Sequence, residues 1–166
     1  MCTTRMLLNS KSKVIKKIKM KNISIVNREM TSKELARMNT GFDEHSIENN
    51  VAVQQSKRFG FVALDDNNTF IGCSSGLAHK NGEQYSGWFY LTDLFVEKDY
   101  RSKGLGTKLL ISLEQEIASI GVKQIYLWTS GAEAIRFYKR HEYSIFAEME
   151  DWYSDGSSRV GLRKHL

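Results

Sequence analysis

Proline is absent from this 166-residue chain, and cysteine occurs only at Cys2 and Cys73. Without proline there is no proline-rich linker and no PxxP ligand. Two cysteines with no CxxC pair build neither a disulfide framework nor a cysteine zinc site, so a reducing, cytoplasmic compartment is expected. His45, His79, His141 and His165 lack metal-ligand spacing, and no metal is expected. No apolar run approaches the roughly 18 residues that span a bilayer. The apolar stretch 6–8 is too short for a secretory core and no A-x-A-like site follows it. What is present is 41% hydrophobic and 26% charged residues. That composition at this length suits one soluble domain.

The net charge of +5 raises the question of nucleic acid, and its distribution answers it. Residues 1–21 carry seven basic side chains and no acid, leaving 17 basic against 19 acidic in the remainder, a net of −2. A nucleic-acid domain places its basic stripe on the folded surface; here the charge belongs to a terminal segment, so nucleic acid is not expected as a partner. Residues 1–21 read as a basic extension outside the fold, disordered or partly helical, with Met20 as an alternative start. Residues 22–166 read as a single domain.

Along that domain, residues 23–26 alternate as a short strand. Thr31 and Glu34 have the spacing of a capping box, which predicts a helix ending at Gly41, followed by a second short segment over 42–50. Strands are expected at 58–64 and 69–78, joined by the Asp65-Asp66-Asn67-Asn68 turn. A further turn at 80–83 leads to the aromatic run 87–96, expected as a central strand buried on both faces. Leu105, Leu109, Leu110, Leu113, Ile117 and Ile120 keep a helical period, and Gly121 stands where a helix-terminating glycine belongs. A strand at 122–129, a helix at 132–140 and a final hairpin of 143–152 with 159–163 complete an α/β mixed sheet with helices on both faces.

The segment between the central strand and the long helix carries the most chemistry. Arg101-Ser102-Lys103-Gly104-Leu105-Gly106 opens the helix, as an anion site would. A helix N-terminus offers unpaired N–H groups and partial positive charge. Glycines let the backbone approach a phosphate, and Arg101, Lys103 and Lys108 add charge. The Walker pattern is absent, and Leu109 stands where a dinucleotide fingerprint needs its third glycine.

Residues 94–110, LFVEKDYRSKGLGTKLL, resemble motif A of the GCN5-related N-acetyltransferases (GNAT), and residues 134–143, AIRFYKRHEY, are similar to that family's A-x-x-F-Y-x-x-x-G-F/Y segment. The resemblance covers 22–166. Ser102 and Glu142 stand where the family has glycine, Lys98 where it often has proline, and Gly131 where a CoA-contacting asparagine is common. The resemblance implies the GNAT-like fold, a mostly antiparallel sheet of six to seven strands. It implies acetyl-CoA as donor and an amine-bearing small molecule or protein as acceptor. By carry-over, the backbone of Phe95 and Val96 holds the pantetheine arm, with the Val96 N–H on the thioester carbonyl. Arg101, Ser102, Lys103, Gly104, Leu105, Gly106 and Thr107 surround the diphosphate. Tyr138 matches the family's general acid, and Asp93 or Glu97 would serve as base, directly or through water. Asp43, Glu44, Trp88, Tyr90 and Trp128 are candidates for the amine pocket, since acids with aromatics suit a cation. A homodimer is compatible with this reading.

Two rivals fit less of the chain. Gly72-Cys73-Ser74-Ser75-Gly76 matches GxSxG, but a strand end and hairpin turn follow it, not the helix a nucleophile elbow requires. A non-catalytic acetyl-CoA sensor would share the fold and the loop.

Overall fold

The computed structural model describes residues 23–166, so the basic extension 1–21 lies outside the described residues. The chain divides into two compact units, one ending at Met38 and one running from Asn39 to Leu166. In the first, residues 23–31 form neither helix nor strand and are exposed. The strand expected at 23–26 is therefore absent, because alternation alone does not make a strand without a partner for its amides. The capping box is present: Glu34 Oε2 accepts from the Thr31 N–H at 2.7 Å, and the Glu34 N–H donates to Thr31 Oγ1 at 3.3 Å. Arg28 and the Thr31 groups bring Glu34 down to about 2.

Helix α1 (Ser32–Glu48) runs through Gly41, where the sequence suggested an end. A lone interior glycine costs a helix about 1 kcal/mol relative to alanine, which is tolerable over seventeen residues. The stop comes later. Asn50 adopts φ +56° and the Val51 N–H bonds the Ser46 carbonyl at 2.8 Å, a left-handed C-terminal cap.

In the second unit, β1 (Gln54–Leu64), β2 (Phe70–Asn81) and β3 (Gln84–Val96) form an antiparallel meander. A 3-10 turn (Lys98–Tyr100) leads to α2 (Leu105–Ser119), β4 (Gln124–Thr129), α3 (Ala132–Arg140), β5 (Ser144–Met149) and β6 (Arg159–His165). The strands form one mixed sheet in the order β1-β2-β3-β4-β6-β5, with β3 and β4 parallel and the other pairs antiparallel.

Leu110, Leu113 and Ile117 of α2 pack with Phe89, Leu91, Ile125, Leu127 and Leu162 from alternate positions of three strands. Truncating one such leucine to alanine would cost about 2–5 kcal/mol. The central strand is buried on one face only: Phe89 is fully buried, whereas Trp88 beside it is 37% exposed. The α2 layer covers the Phe89 face, and the run of aromatics concealed an ordinary alternation. Deep in this layer Glu114 accepts from the Tyr143 hydroxyl at 2.9 Å and from Lys164 Nζ at 2.7 Å, which fastens α2 to the far side of the sheet. Burial, then the Glu114 charge, push the Tyr143 phenol well up.

Midway along its pairing with β2, β3 carries one extra residue. Ser75 pairs with Asp93 and Gly76 with Leu91, so Thr92 has no partner. This bulge moves the core-facing positions from 89 and 91 to 94 and 96.

Candidate active site

β3 and β4 stay together for three pairs, Trp88 with Gln124, Phe89 with Ile125 and Tyr90 with Tyr126. Beyond them the strands part, and a cleft of about 560 Å³ opens between their C-terminal ends. Crevices at the carboxyl ends of parallel strands are where open α/β sheets take ligands.

The ladder decides which backbone groups face this cleft. The Glu97 N–H donates to the Ile71 carbonyl of β2 at 2.9 Å. In an antiparallel pair amide directions alternate, so Phe95 also points to β2, while Leu94 and Val96 point toward the gap. Arg101 Nε donates to the Val96 carbonyl at 2.9 Å. The Val96 N–H therefore faces the cleft. Phe95 lines it, but its amide belongs to the ladder and its ring stacks on Phe70.

The floor is the turn into α2. Ser102 takes φ +58° and Gly104 φ +82°, successive departures into the left-handed region that swing the chain around. Such a conformation costs a non-glycine residue about 1 kcal/mol or more, which gives the physical reason for a glycine preference at position 102. Gly104 caps α2 with no side-chain bond to the first amides. The first intrahelical bond of the turn runs from the Lys108 N–H to the Gly104 carbonyl, leaving the N–H groups of 105–107 available. A Cβ on Gly106 would sit 3.7 Å from both Phe137 and Val96, so glycine there keeps the floor of the cleft open. Arg101, Ser102, Gly104, Gly106 and Thr107 line the cleft; Lys103 and Leu105 do not, and Lys103 Nζ instead lies 5.6 Å from the Tyr100 ring centre.

The opposite wall is Thr129 and α3, with Ala134, Phe137, Tyr138 and Arg140. Tyr138 is 8% exposed, and burial pushes its phenol up to about 12. Its hydroxyl is therefore protonated at neutral pH, and among the described residues no hydrogen bond holds it. His141, at the end of α3, shares a 3.0 Å hydrogen bond with Thr107 Oγ1 and packs on Phe137, tying the wall to the floor. Leu94, Thr129, Phe137, Arg140 and His141 escaped the sequence reading. The helical spacing of Phe137 and His141 around Tyr138 could have signalled two of them; Leu94 depends on the bulge and had no local signal.

The remaining candidates scatter. Asp93 lies on the other face of β3, half exposed, accepting from Ser75 Oγ and Thr92 Oγ1 at 2.6 Å each and from Arg58 at 3.2 Å. The Ser75 and Thr92 hydroxyls, then Arg58, hold it below the usual carboxylate range, which makes it a weak proton acceptor. Glu97 is exposed just past the strand. Trp88, Tyr90 and Trp128 fall on the face of the sheet opposite Phe89. Tyr90 stacks on Tyr126 at 4.8 Å, and Trp88, Tyr126, Trp128, Phe146 and Arg163 border a pocket of about 250 Å³. Asp43 and Glu44 are exposed on α1 and line neither pocket. Ser74 is buried in mid-strand, donating to the Leu109 carbonyl at 2.9 Å, so the GxSxG match is a strap between sheet and helix.

Comparison with known proteins bears on the same cleft. The chain is 35% identical over 68 residues to a protein named "Probable spermine N(1)-acetyltransferase" from Bacillus subtilis subsp. natto; the match covers 39% of this chain and 45% of that protein's length. It is 32% identical over 110 residues to N-alpha-acetyltransferase 30 of Schizosaccharomyces pombe, covering 63% of this chain and 70% of that one. The crystal structure of an acetyltransferase from Bacillus cereus superposes with a TM-score of 0.71 at 23% identity, over 89% of this chain and 99% of the other. Residues 25–143, which contain the parted strands, the uncapped helix and Tyr138, match the acetyltransferase (GNAT) family as a whole, and the chain belongs to it.

Proposed function

We propose that the chain transfers the acetyl group of acetyl-CoA to a primary amine, by direct attack within a ternary complex. The observation that carries this reading is the convergence in one cleft of an uncapped helix N-terminus, a free strand amide and a buried neutral phenol. Acetyl-CoA supplies an activated thioester and a diphosphate handle. The residues present fit both. The amides of 105–107, with Arg101 and Ser102, hold the diphosphate. The Val96 N–H bonds the thioester carbonyl and stabilises the charge that develops on its oxygen. Tyr138 gives its proton to the departing thiolate, a role its raised pKa keeps available across the neutral and alkaline range. The amine gives up its proton to water, with the exposed Glu97 just past β3 as the carboxylate that takes it on.

The acceptor is a small polyamine or a protein amino group, the two classes named for the matched relatives. The test is calorimetric titration of acetyl-CoA followed by mass detection of products from a panel containing spermine and peptides with free amino termini. Micromolar binding and the mass gain of one acetyl group on an amine are expected. Binding without turnover on any amine would overturn the reading in favour of a sensor.

A further inference from the structure

We propose that Asp93 is a positioning residue: gripped by Ser75, Thr92 and Arg58, its carboxylate locks the one-residue bulge at Thr92 and so aims the Val96 N–H into the cleft. This rests on the acetyl-transfer reading, because it takes that N–H as the group meeting the thioester carbonyl.

The bulge lies between two functional parts of β3. The last pair with β4 is at Tyr90, and the free amide is at Val96. Between them Thr92 is skipped by β2. Had the ladder continued without the extra residue, parity would send the Phe95 amide into the gap and the Val96 amide to β2. An unpaired residue in a strand keeps its register only if something holds it, and here side chains from three strands do. Ser75 Oγ of β2 and Thr92 Oγ1 of β3 each donate to Asp93 Oδ2 at 2.6 Å. Arg58 of β1 donates to Ser75 Oγ at 3.0 Å, to Thr92 Oγ1 at 3.1 Å and to Asp93 Oδ2 at 3.2 Å. Thr92 Oγ1 also lies 3.2 Å from the Ser75 carbonyl, directly across the bulge. One carboxylate oxygen is thus the common acceptor of a cluster that spans the irregularity. All three donors converge on Oδ2, on the face of the strand away from Phe89, so the cluster fixes where the carboxylate sits.

The experiment compares Asp93→Asn with the double variant Ser75→Ala/Thr92→Val in the full chain. It measures thiol release from acetyl-CoA with spermine and with a free-amino-terminus peptide across pH, together with acetyl-CoA affinity and melting temperature. Asparagine keeps an oxygen for both hydroxyls, so Asp93→Asn should lose only about threefold in kcat and leave the acid limb of the pH profile in place. The double variant retains the carboxylate but frees the bulge, and should lose about tenfold in kcat with acetyl-CoA affinity within twofold. If the double variant fails to fold, Arg58→Met replaces it, with a kcat loss in the same direction. Loss of the acid limb in Asp93→Asn would overturn the proposal and restore Asp93 as a base, and a double variant with the full rate would overturn it by showing that the hydroxyls do not hold the bulge. Failure of acetyl-CoA to bind the unmodified chain would strike the cleft assignment itself, a separate result read before any variant is made.

Discussion

The two ends of α2 obey opposite rules. At the N-terminal end Gly104 leaves the first amides without a side-chain cap. Further along, Glu114 is satisfied by both Tyr143 and Lys164, and Leu110, Leu113 and Ile117 are fully buried. A glycine start without a side-chain cap costs roughly a few tenths of a kcal/mol against a good cap. The chain tolerates it because the rest of the helix is anchored in the core. Stability and ligand affinity should therefore separate along one helix.

The strongest break in that contrast is Gly104→Glu. Open space surrounds the position, so the fold should survive with a modest loss from the positive φ. The carboxylate would occupy the anion site and reduce acetyl-CoA affinity by about a thousandfold (about 4 kcal/mol). Gly104→Ala shares the strain without the charge, and calorimetry on both separates the two effects. Next is Lys164→Ala at the other end. Lys164 and Glu114 are 15% and 10% exposed, and stranding a buried carboxylate costs about 3 kcal/mol. The melting temperature should fall by several degrees while the folded protein binds acetyl-CoA unchanged. If affinity fell as steeply as stability, the two ends would not be independent.

Tyr138→Phe tests the wall against the floor. It should lower kcat by about tenfold or more with acetyl-CoA affinity nearly unchanged; full activity would assign the proton to water. The pH dependence has a definite sign. With the folded-state phenol raised to about 12 from an unfolded value of about 10, its contribution to stability is whole below pH 10 and is lost as pH rises toward 12. Activity should show no alkaline loss from Tyr138 below pH 11, measurable as a rate profile. The smallest effect is Gly106→Ala. The added methyl makes ordinary contacts, so the helix should gain a few tenths to about 1 kcal/mol, while acetyl-CoA affinity falls by about threefold (roughly 0.7 kcal/mol).

These contrasts also show how much was readable beforehand. The long helix and the helix at 132–140 were legible because periodicity and flanking glycines agree. The turn into the long helix was legible because its glycines stand directly before the periodic run. The strand expected at 23–26 and the helix end expected at Gly41 failed for one reason: both relied on local pattern, while pairing partners and a later Asn50 cap decided the outcome. Asp93 shows a different limit. Its residue type suited a base, but three donors from β1, β2 and β3 converge on it, and none is near it in sequence except Thr92.

The sequence by itself determined that a helix begins at Gly104–Leu105 over a glycine-opened turn, that Tyr138 rides a short amphipathic helix, and that the whole belongs with acetyl-transferring folds. Those features depend on local propensity and spacing, which a chain carries with it. Only the tertiary structure decided that Val96, and not Phe95, presents its amide to the cleft. That choice depends on one unpaired residue in β3, and whether a residue is unpaired is a property of two strands together.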